Sequence, residues 1–255
     1  MYKIKGVKMN NTEESIQDGS KTMKEIALNY LEHYVYPIPL FSPALLEKGI
    51  QPEWYKEKED EILKIVRSDP GRDNVIQEEE LKRAIKVKAC KQPLPNIDVN
   101  SFYSKKPTEK DVSEWFSEYP EANIGLLIGR QYNLVIIDVS KKIASVYHQR
   151  VGDFLKAPFV ETNYGYHYYF NFQSIAHFNE TIEENGINLY EETTHVVAPP
   201  SANASGHIYR WKGYSPFYDY IVDSDPWLSG FISGLNQIKN ELDDENEFVK
   251  CLCNI

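Results

Sequence analysis

The sequence predicts an α+β protein, and three observations support that class. Apolar residues spaced three and four apart indicate helices in the first part of the chain. Short apolar and alternating runs indicate several strands in 122–211, without the regular strand–helix alternation of a doubly wound parallel sheet. The chain also holds 18 tyrosines, many in alternating runs such as YGYHYYFNF, a composition that favours strands.

The first elements along the chain differ in composition. Residues 1–21 are polar and are predicted to form a disordered tail. The apolar positions of TMKEIALNYLEHY (22–34) follow helical spacing, and the proline-punctuated segment 35–43 is predicted to be an extended strand. Residues 44–84 are highly charged and predicted to be mostly helical, so we interpret them as an insertion within a domain that spans 22–212.

The middle of the chain contains signals for a loop, a helix start and two strands. KACKQPLPN (88–96) is predicted to be a loop. Thr108 is predicted to begin a helix, because Asp111 follows three residues later in a pattern close to a capping box. The apolar runs 122–129 and 133–138 are predicted to pair as a strand hairpin.

Strands dominate the following region. Residues 143–155 are predicted to be a helix, and 213–255 to be a helical extension at the C-terminus. Between them the predicted strands are 159–163, 166–172, 187–191, 195–200 and 207–211.

The charge is unevenly distributed. The net charge of −10 argues against a protein that coats nucleic acid nonspecifically. Residues 82–112, however, hold eight Lys and Arg against three Asp and Glu, a net charge of +5. Charge alone does not separate a nucleic-acid-binding face from a solvated helix. The candidate contacts to nucleic acid are Lys86, Lys88, Lys91, Lys105 and Lys106.

The composition favours an intracellular protein. Its three cysteines cannot form a disulfide framework. No window approaches the roughly 18 apolar residues of a membrane span, and MYKIKGVKMNNTEES lacks the apolar core of a signal peptide. We therefore expect a reduced protein of the cytoplasm or nucleoid, without a membrane partner.

Several short motifs occur in one order, although no phosphate-binding loop and no nucleophile elbow is present. Together they resemble the primase-polymerase (prim-pol) domain of the archaeo-eukaryotic primase superfamily over roughly 22–212. The matching residues are Lys91-Gln92-Pro93, Trp115, Pro120, Asn123-Ile124-Gly125-Leu126, Asp138, Gly165-x-His167, Val197-Ala198-Pro199-Pro200-Ser201, Gly206, Tyr209 and Trp211.

The resemblance implies an RRM-like antiparallel or mixed sheet with flanking helices and a smaller α/β unit. It implies template-directed nucleotide transfer with two divalent metal ions, Mg²⁺ or Mn²⁺, which bridge the attacking and leaving oxygens. It also implies that His167 and Ser201 contact the nucleotide, His167 through its phosphates.

The sequence departs from the family pattern at the metal site. Asp138 keeps the first acid, but Ser140 replaces the second and Asn188 the third. Mg²⁺ prefers carboxylates, and each carboxylate near the ion is worth on the order of a few kcal/mol at an effective dielectric near 20. Asp138 is therefore predicted to be a weak metal ligand by itself. Tyr164 also departs, since the family often has a second glycine there.

Other roles for these residues stay open from the sequence. Asp138 could cap the helix that follows it, and His167 could be a half-buried histidine bonded to a tyrosine. Glu161 and the pair Glu191-Glu192 are close enough in sequence to be considered as replacement acids. The tyrosine-rich strand at 164–172 could stack on bases or could belong to the sheet core.

Three functions are compatible with this sequence. The first, which we favour, is a catalytically impaired prim-pol domain that binds DNA or nucleotides, or that assists a helicase or primase subunit in replication, without a cofactor. The second is an active primase-polymerase with a rearranged set of Mg²⁺ or Mn²⁺ ligands. The third is a protein-interaction module without a role in nucleic-acid binding.

Overall fold

The structure is a computed structural model and describes residues 21–68, 72–151, 158–171, 186–190, 194–212 and 230–243. Residues 1–20 of the tail predicted at 1–21, and most of the predicted C-terminal extension, lie outside these residues. The helices are α1 (Met23–Glu32), α2 (Pro43–Glu47), α3 (Glu53–Ser68), α4 (Arg72–Ala89), α5 (Glu109–Glu118) and α6 (Lys141–Val151), with 3₁₀ turns at Val99–Tyr103 and Arg130–Tyr132. Residues 230–243 are also helical.

In the described part of the chain, eight strands form two antiparallel sheets. The strands are β1 (Pro37–Leu40), β2 (Asn123–Ile128), β3 (Val135–Ser140), β4 (Phe159–Glu161), β5 (Gly165–Phe170), β6 (Ile187–Tyr190), β7 (Thr194–Ala198) and β8 (Trp211–Lys212). A three-stranded sheet has the order β1-β2-β7, and a five-stranded sheet has the order β6-β3-β5-β4-β8. The predicted α+β class is confirmed.

Two helices start at the capping signals in the sequence. Thr22 caps α1 and Thr108 caps α5, and each accepts a hydrogen bond from the backbone N–H three residues later. The acids at those positions, Glu25 and Asp111, bond back to the threonines and complete two capping boxes. The interpretation of Thr108 and Asp111 as a helix start is confirmed.

The predicted hairpin at 122–138 is wrong. β2 and β3 belong to different sheets, and only one bridge, Gly129 with Leu134, joins their ends. The backbone turns sharply here, because Gly129 has φ of 113° and Asn133 is left-handed with φ of 52°. Two adjacent apolar strands look like a hairpin in sequence, but each is buried and finds a different partner.

The predicted strand at 207–211 is shorter in the structure. Only Trp211 and Lys212 form β8, paired with β4, and Ile208 makes a single bridge to Ala202. The rest of this segment is a loop held by its own hydrogen bonds, including one of 2.9 Å from the Asn203 N–H to the His207 carbonyl. The apolar and aromatic residues there pack into a loop rather than along a sheet edge.

The five-stranded sheet separates two apolar cores. Val135, Ile137 and Val139 of β3 pack with α6 and the helical segment 230–243. Ile136, on the other face, packs in a larger core shared with α1, α5 and the three-stranded sheet. Because side chains alternate along a strand, Asp138 follows Ile136 and faces the side of the larger core.

The charged region at 44–84, predicted to be mostly helical, is mostly helical in its described residues. α3 and α4 pack against each other, and α4 continues to Ala89, beyond the predicted end. Its last turn is buried at Ala89 and Cys90, which places Lys91 beside the two sheets. Among the described residues, none of the helices is long and apolar enough to cross a membrane.

Candidate functional site

Asp138 lies in a row of side chains that crosses the five-stranded sheet. On β3 it stands opposite His167 of β5 on one side and opposite Asn188 of β6 on the other. Cross-strand partners project from the same face of a sheet. Ser140 lies two residues further along β3 on that face and pairs with Gly165. The register thus brings together the three positions at which the resemblance places acids.

Close contact between β3 and β5 holds this row in place. A Cβ at Gly165 would overlap the backbone carbonyl of Val139, so only glycine fits. The turn before Gly165 is fixed by Thr162, whose hydroxyl accepts a hydrogen bond of 3.0 Å from the Gly165 N–H. The Gly-x-His spacing therefore sets the register that places His167 beside Asp138.

Burial controls the charge of both Asp138 and His167. Burial, and to a smaller extent the nearby Lys91 ammonium, lowers the pKa of His167 to about 4. Burial raises the pKa of Asp138, and Lys91 partly opposes that shift. The His167 Nε2 lies 3.7 Å from the Asp138 Oδ1. This distance exceeds a hydrogen bond, and because the lowered pKa of His167 keeps its ring neutral at pH 7, the contact is not an ion pair.

The structure favours neither alternative role of these two residues. Among the described residues, the buried Nδ1 of His167 has no hydrogen-bond partner, and the ring makes no hydrogen bond to a tyrosine. Asp138 is turned toward His167, and within the same part of the chain it makes no capping hydrogen bond to α6. Both side chains instead border a pocket.

The pocket has a volume of about 230 Å³ and opens between the two sheets. It is bordered by the five-stranded sheet, β7, the end of α4, the β4–β5 turn and the loop before β8. The lining residues are Val87, Cys90, Lys91, Asp138, Thr162, Asn163, Tyr164, His167, Tyr190, Thr194, His195, Val196, Val197, Ala202, Asn203 and Tyr209.

Lys91 supplies a cation to this pocket. Its backbone carbonyl accepts a hydrogen bond of 2.8 Å from the Nε2 of His195, which ties the end of α4 to β7. Because a carbonyl only accepts, the Nε2 of His195 carries the proton. Burial lowers the pKa of His195 and raises the pKa of the Cys90 thiol to about 11. At neutral pH the charges in the pocket are therefore those of Lys91 and Asp138.

The described residues do not fit a two-metal centre. Asp138 is the only carboxylate that lines the pocket, and no group of three or more His, Cys, Asp or Glu in the described ranges is placed to hold a metal ion. Ser140 does not line the pocket, because its Oγ packs 2.8 Å from the place that a Cβ on Gly186 would occupy. Neutral hydroxyl and amide groups cannot offset the charge of Mg²⁺ as carboxylates do.

Of the candidate replacement acids, the one that the structure describes, Glu161, gives no further carboxylate here. Glu161 lies on β4 next to Val160, which packs in the larger core, so Glu161 projects from the opposite face. Its carboxylate lies 3.6 Å from Lys141 at the start of α6. Glu191 and Glu192 lie outside the described residues.

Ser201 is placed away from the pocket. It is fully buried, and its hydroxyl accepts a hydrogen bond of 2.8 Å from the Ile124 N–H and donates one of 3.1 Å to the Ile124 carbonyl. These bonds join the segment after β7 to β2. Contact between Ser201 and a nucleotide stays a prediction, and this geometry gives Ser201 a structural role.

The five candidate lysines fall into two groups. Lys86, Lys88 and Lys91 are exposed around the end of α4, where the Lys88 Nζ lies 5.2 Å from the centre of the Trp54 ring. Lys105 and Lys106 are exposed on the connection to α5, where the Lys106 Nζ lies 4.7 Å from the centre of the Tyr36 ring. Of the five, only Lys91 borders the pocket.

Sequence reasoning missed several pocket residues. His195, Asn203 and Tyr190 carry no motif signal of their own, and they reach the pocket only because β6, β7 and the loop before β8 fold toward it. Asn203 lies between the matching segment 197–201 and the matching Gly206, but is not itself a matching residue. Its Oδ1 accepts hydrogen bonds from the backbone of Ser205 and His207, which shapes the loop.

An acid and a histidine thus lie side by side on neighbouring antiparallel strands, at the border of a pocket that one lysine also lines. The family model described as "Bifunctional DNA primase/polymerase, N-terminal" (Prim-Pol) matches residues 27–219. The chain therefore belongs to the Prim-Pol family, as its motifs predicted. No curated protein and no solved structure matches the chain.

Proposed function

We propose that this Prim-Pol domain serves DNA replication by binding nucleotide or DNA, with little or no nucleotide transfer of its own. The row formed by His167, Asp138 and Asn188, with Ser140 beside it, carries this proposal. Among these four side chains, only Asp138 has a carboxyl group, whereas the family resemblance implies three carboxylates at this site.

The charge at the site supports the loss of activity. Phosphoryl transfer needs metal ions to stabilise the negative charge on the attacking and leaving oxygens in the transition state. Each missing carboxylate removes on the order of a few kcal/mol of attraction for a divalent ion. Asp138 is itself half-buried, and burial raises its pKa, which further reduces its readiness to hold a metal ion as a carboxylate.

The remaining residues support binding. Lys91 borders the pocket, and Lys86 and Lys88 extend the positive charge along the end of α4. Such cations attract phosphate whether or not a metal ion is present. Binding without turnover would suit an accessory subunit that holds DNA or nucleotide beside a helicase or an active primase.

Primer synthesis tests the proposed loss of activity. The protein is incubated with single-stranded templates, all nucleotides and either Mg²⁺ or Mn²⁺, beside Asp138→Ala and the shape-preserving Asp138→Asn. We expect no metal-dependent product from any of the three. A product that the wild type makes and both variants lose would overturn the proposal and establish an active enzyme with rearranged ligands.

Restoring the acids gives a second measurement that does not depend on turnover. Calorimetric titration with Mn²⁺ compares the wild type with Asn188→Asp and with Ser140→Asp combined with Asn188→Asp. We expect the doubly substituted protein to bind Mn²⁺ at least about tenfold more tightly, because two carboxylates join Asp138 on one face. Equal affinity in all three proteins would show that the row is not the metal position.

A further inference from the structure

We infer that Tyr164 and Tyr190 form a stacking site for a nucleobase at the mouth of the pocket. The inference rests on the proposed nucleotide- or DNA-binding function and names the part of the ligand that these two residues recognise. It also assigns a role to Tyr164, which stands where the family often has glycine.

Tyr164 has an exposed aromatic ring, and hydrogen bonds fix its backbone. Its side chain is 74% exposed although it lines the pocket. Its N–H donates a hydrogen bond of 3.3 Å to the Thr162 hydroxyl, and its carbonyl accepts one of 3.0 Å from the Lys141 N–H. The next residue, Gly165, packs directly on β3. A large ring held out from a rigid turn loses little entropy when a ligand stacks on it.

Tyr190 provides a second aromatic surface from another strand. It lies on β6, paired with Ile136, and so projects from the same sheet face as Asp138. It is 38% exposed and borders the same pocket. Burial and the Asp138 carboxylate both raise the pKa of its hydroxyl, which places Tyr190 within the electrostatic reach of Asp138.

The other aromatic residues of β5 are not available for stacking. Tyr168, Tyr169 and Phe170 are fully buried, and Tyr166 packs against His148 and Phe159 on the helix-covered face. The tyrosines and the phenylalanine of β5 therefore pack in or against the apolar cores. Tyr164, in the turn before β5, is the exposed aromatic residue on which a base could stack.

A nucleobase fits the chemistry of this mouth. Bases stack on tyrosine regardless of their identity, so such a site does not require a particular base sequence. Lys91 borders the same pocket and can donate hydrogen bonds to the phosphate of the same nucleotide. The volume of about 230 Å³ is below that of pockets that enclose a whole drug-sized ligand, so a base would lie partly in the mouth.

Equilibrium binding with matched probes tests the inference. Fluorescence anisotropy is measured with a labelled oligothymidylate and with an abasic oligonucleotide of equal length, and a deoxynucleoside triphosphate is titrated separately. The proteins are the wild type, Tyr164→Ala, Tyr164→Phe and Tyr190→Ala. Tyr34→Ala is the control, because Tyr34 is 79% exposed and does not line the pocket.

We expect Tyr164→Ala to weaken binding of the oligothymidylate or of the free nucleotide by about 5- to 150-fold, with Tyr190→Ala in the same direction. Tyr164→Phe and Tyr34→Ala should bind like the wild type, and abasic binding should change in none of them. The probe that responds distinguishes a strand base from a free nucleotide.

The outcomes separate the two proposals. Wild-type binding to base-containing probes that Tyr164→Ala leaves unchanged would overturn the stacking site and leave the proposed function standing. A wild-type protein that binds neither DNA nor nucleotide at low salt would overturn the proposed function and the stacking site together.

Discussion

Asp138 and His167 show how burial changes the chemistry of a residue that a motif identifies. An exposed histidine at this position would be partly protonated near neutral pH and attractive to phosphate. In the structure its pKa falls to about 4, so it is a neutral ring beside a buried carboxylate. The phosphate contact that the resemblance implies for His167 would thus need a neutral imidazole N–H as donor, with Lys91 as the neighbouring charge.

The lowered pKa of His167 predicts acid sensitivity. Between the unfolded value of 6.5 and the folded value of about 4, the unfolded chain binds more protons, so folding stability falls as pH is lowered through this window. We expect His167 to account for a loss of about 2 kcal/mol from about pH 7.5 to about pH 5. Urea unfolding at both pH values, compared between the wild type and His167→Gln, measures it.

Asp138 acts in the opposite direction and must be separated from this effect. Its raised folded pKa means that the folded state binds more protons, so its contribution falls as pH rises through that pKa. Because Asp138 is present in both proteins, the difference between the wild type and His167→Gln isolates His167. An identical loss of stability in the two proteins would contradict the prediction, as would a His167 proton resonance that titrates near 6.5.

At the scale of elements, the β4–β5 turn positions the residues of the site. Thr162 closes it with hydrogen bonds from its hydroxyl and backbone to Gly165. The turn then presents Tyr164 outward and aligns His167 with Asp138. One short turn thereby sets both the paired row on the sheet and the exposed aromatic ring at the pocket mouth.

Gly165→Ala is expected to destabilise the fold. A Cβ there would overlap the Val139 carbonyl, which belongs to backbone and cannot rotate away. We expect a loss of about 1–3 kcal/mol or more, measured by thermal or urea unfolding. Gly230→Ala is the matched control, since its Cβ would meet open space in a helical segment and should be neutral or slightly stabilising. Equal stability of the two variants would show that β3 and β5 are less tightly joined than described.

At the scale of the whole molecule, several family motif residues serve the scaffold. The Asn123 side chain bonds to the carbonyls of Phe41 and Ala202, which ties β2 to two other segments. Trp211 donates to the Tyr30 hydroxyl, and that hydroxyl donates to the Pro199 carbonyl. These bonds hold the two sheets and α1 in the arrangement that forms the pocket. These motif residues therefore stabilise the fold, whatever the activity of the site.

The charge distribution of the molecule predicts salt-dependent DNA binding through the end of α4. Replacing Lys86, Lys88 and Lys91 by Gln should reduce the slope of log affinity against log salt by up to about 2 for single-stranded DNA, because each lost phosphate contact removes about 0.7. Lys58→Gln is the control, because Lys58 lies on α3 and pairs with Glu61 at 2.6 Å. Anisotropy at several salt concentrations gives the slopes.

Absence of DNA binding even at low salt would instead favour the protein-interaction module. A wild-type slope that the triple substitution leaves unchanged would move the interface elsewhere, with Lys105 and Lys106 as the next candidates. The triple variant also loses the contact of Lys88 with Trp54, so its folding is checked by unfolding before the slopes are compared.

The sequence by itself determined the α+β class, the helix start at Thr108 and the family, because spacing and residue type are local properties of the chain. It could not determine that β2 and β3 belong to different sheets, because the apolar sequence of a buried strand does not specify which strand pairs with it. Only the tertiary structure decided that Ser201 is buried with its hydroxyl bonded to β2, and that Tyr164 is exposed at the pocket that Lys91 also borders. Burial and cross-strand register depend on residues distant in sequence, and they set the charge of Asp138 and His167.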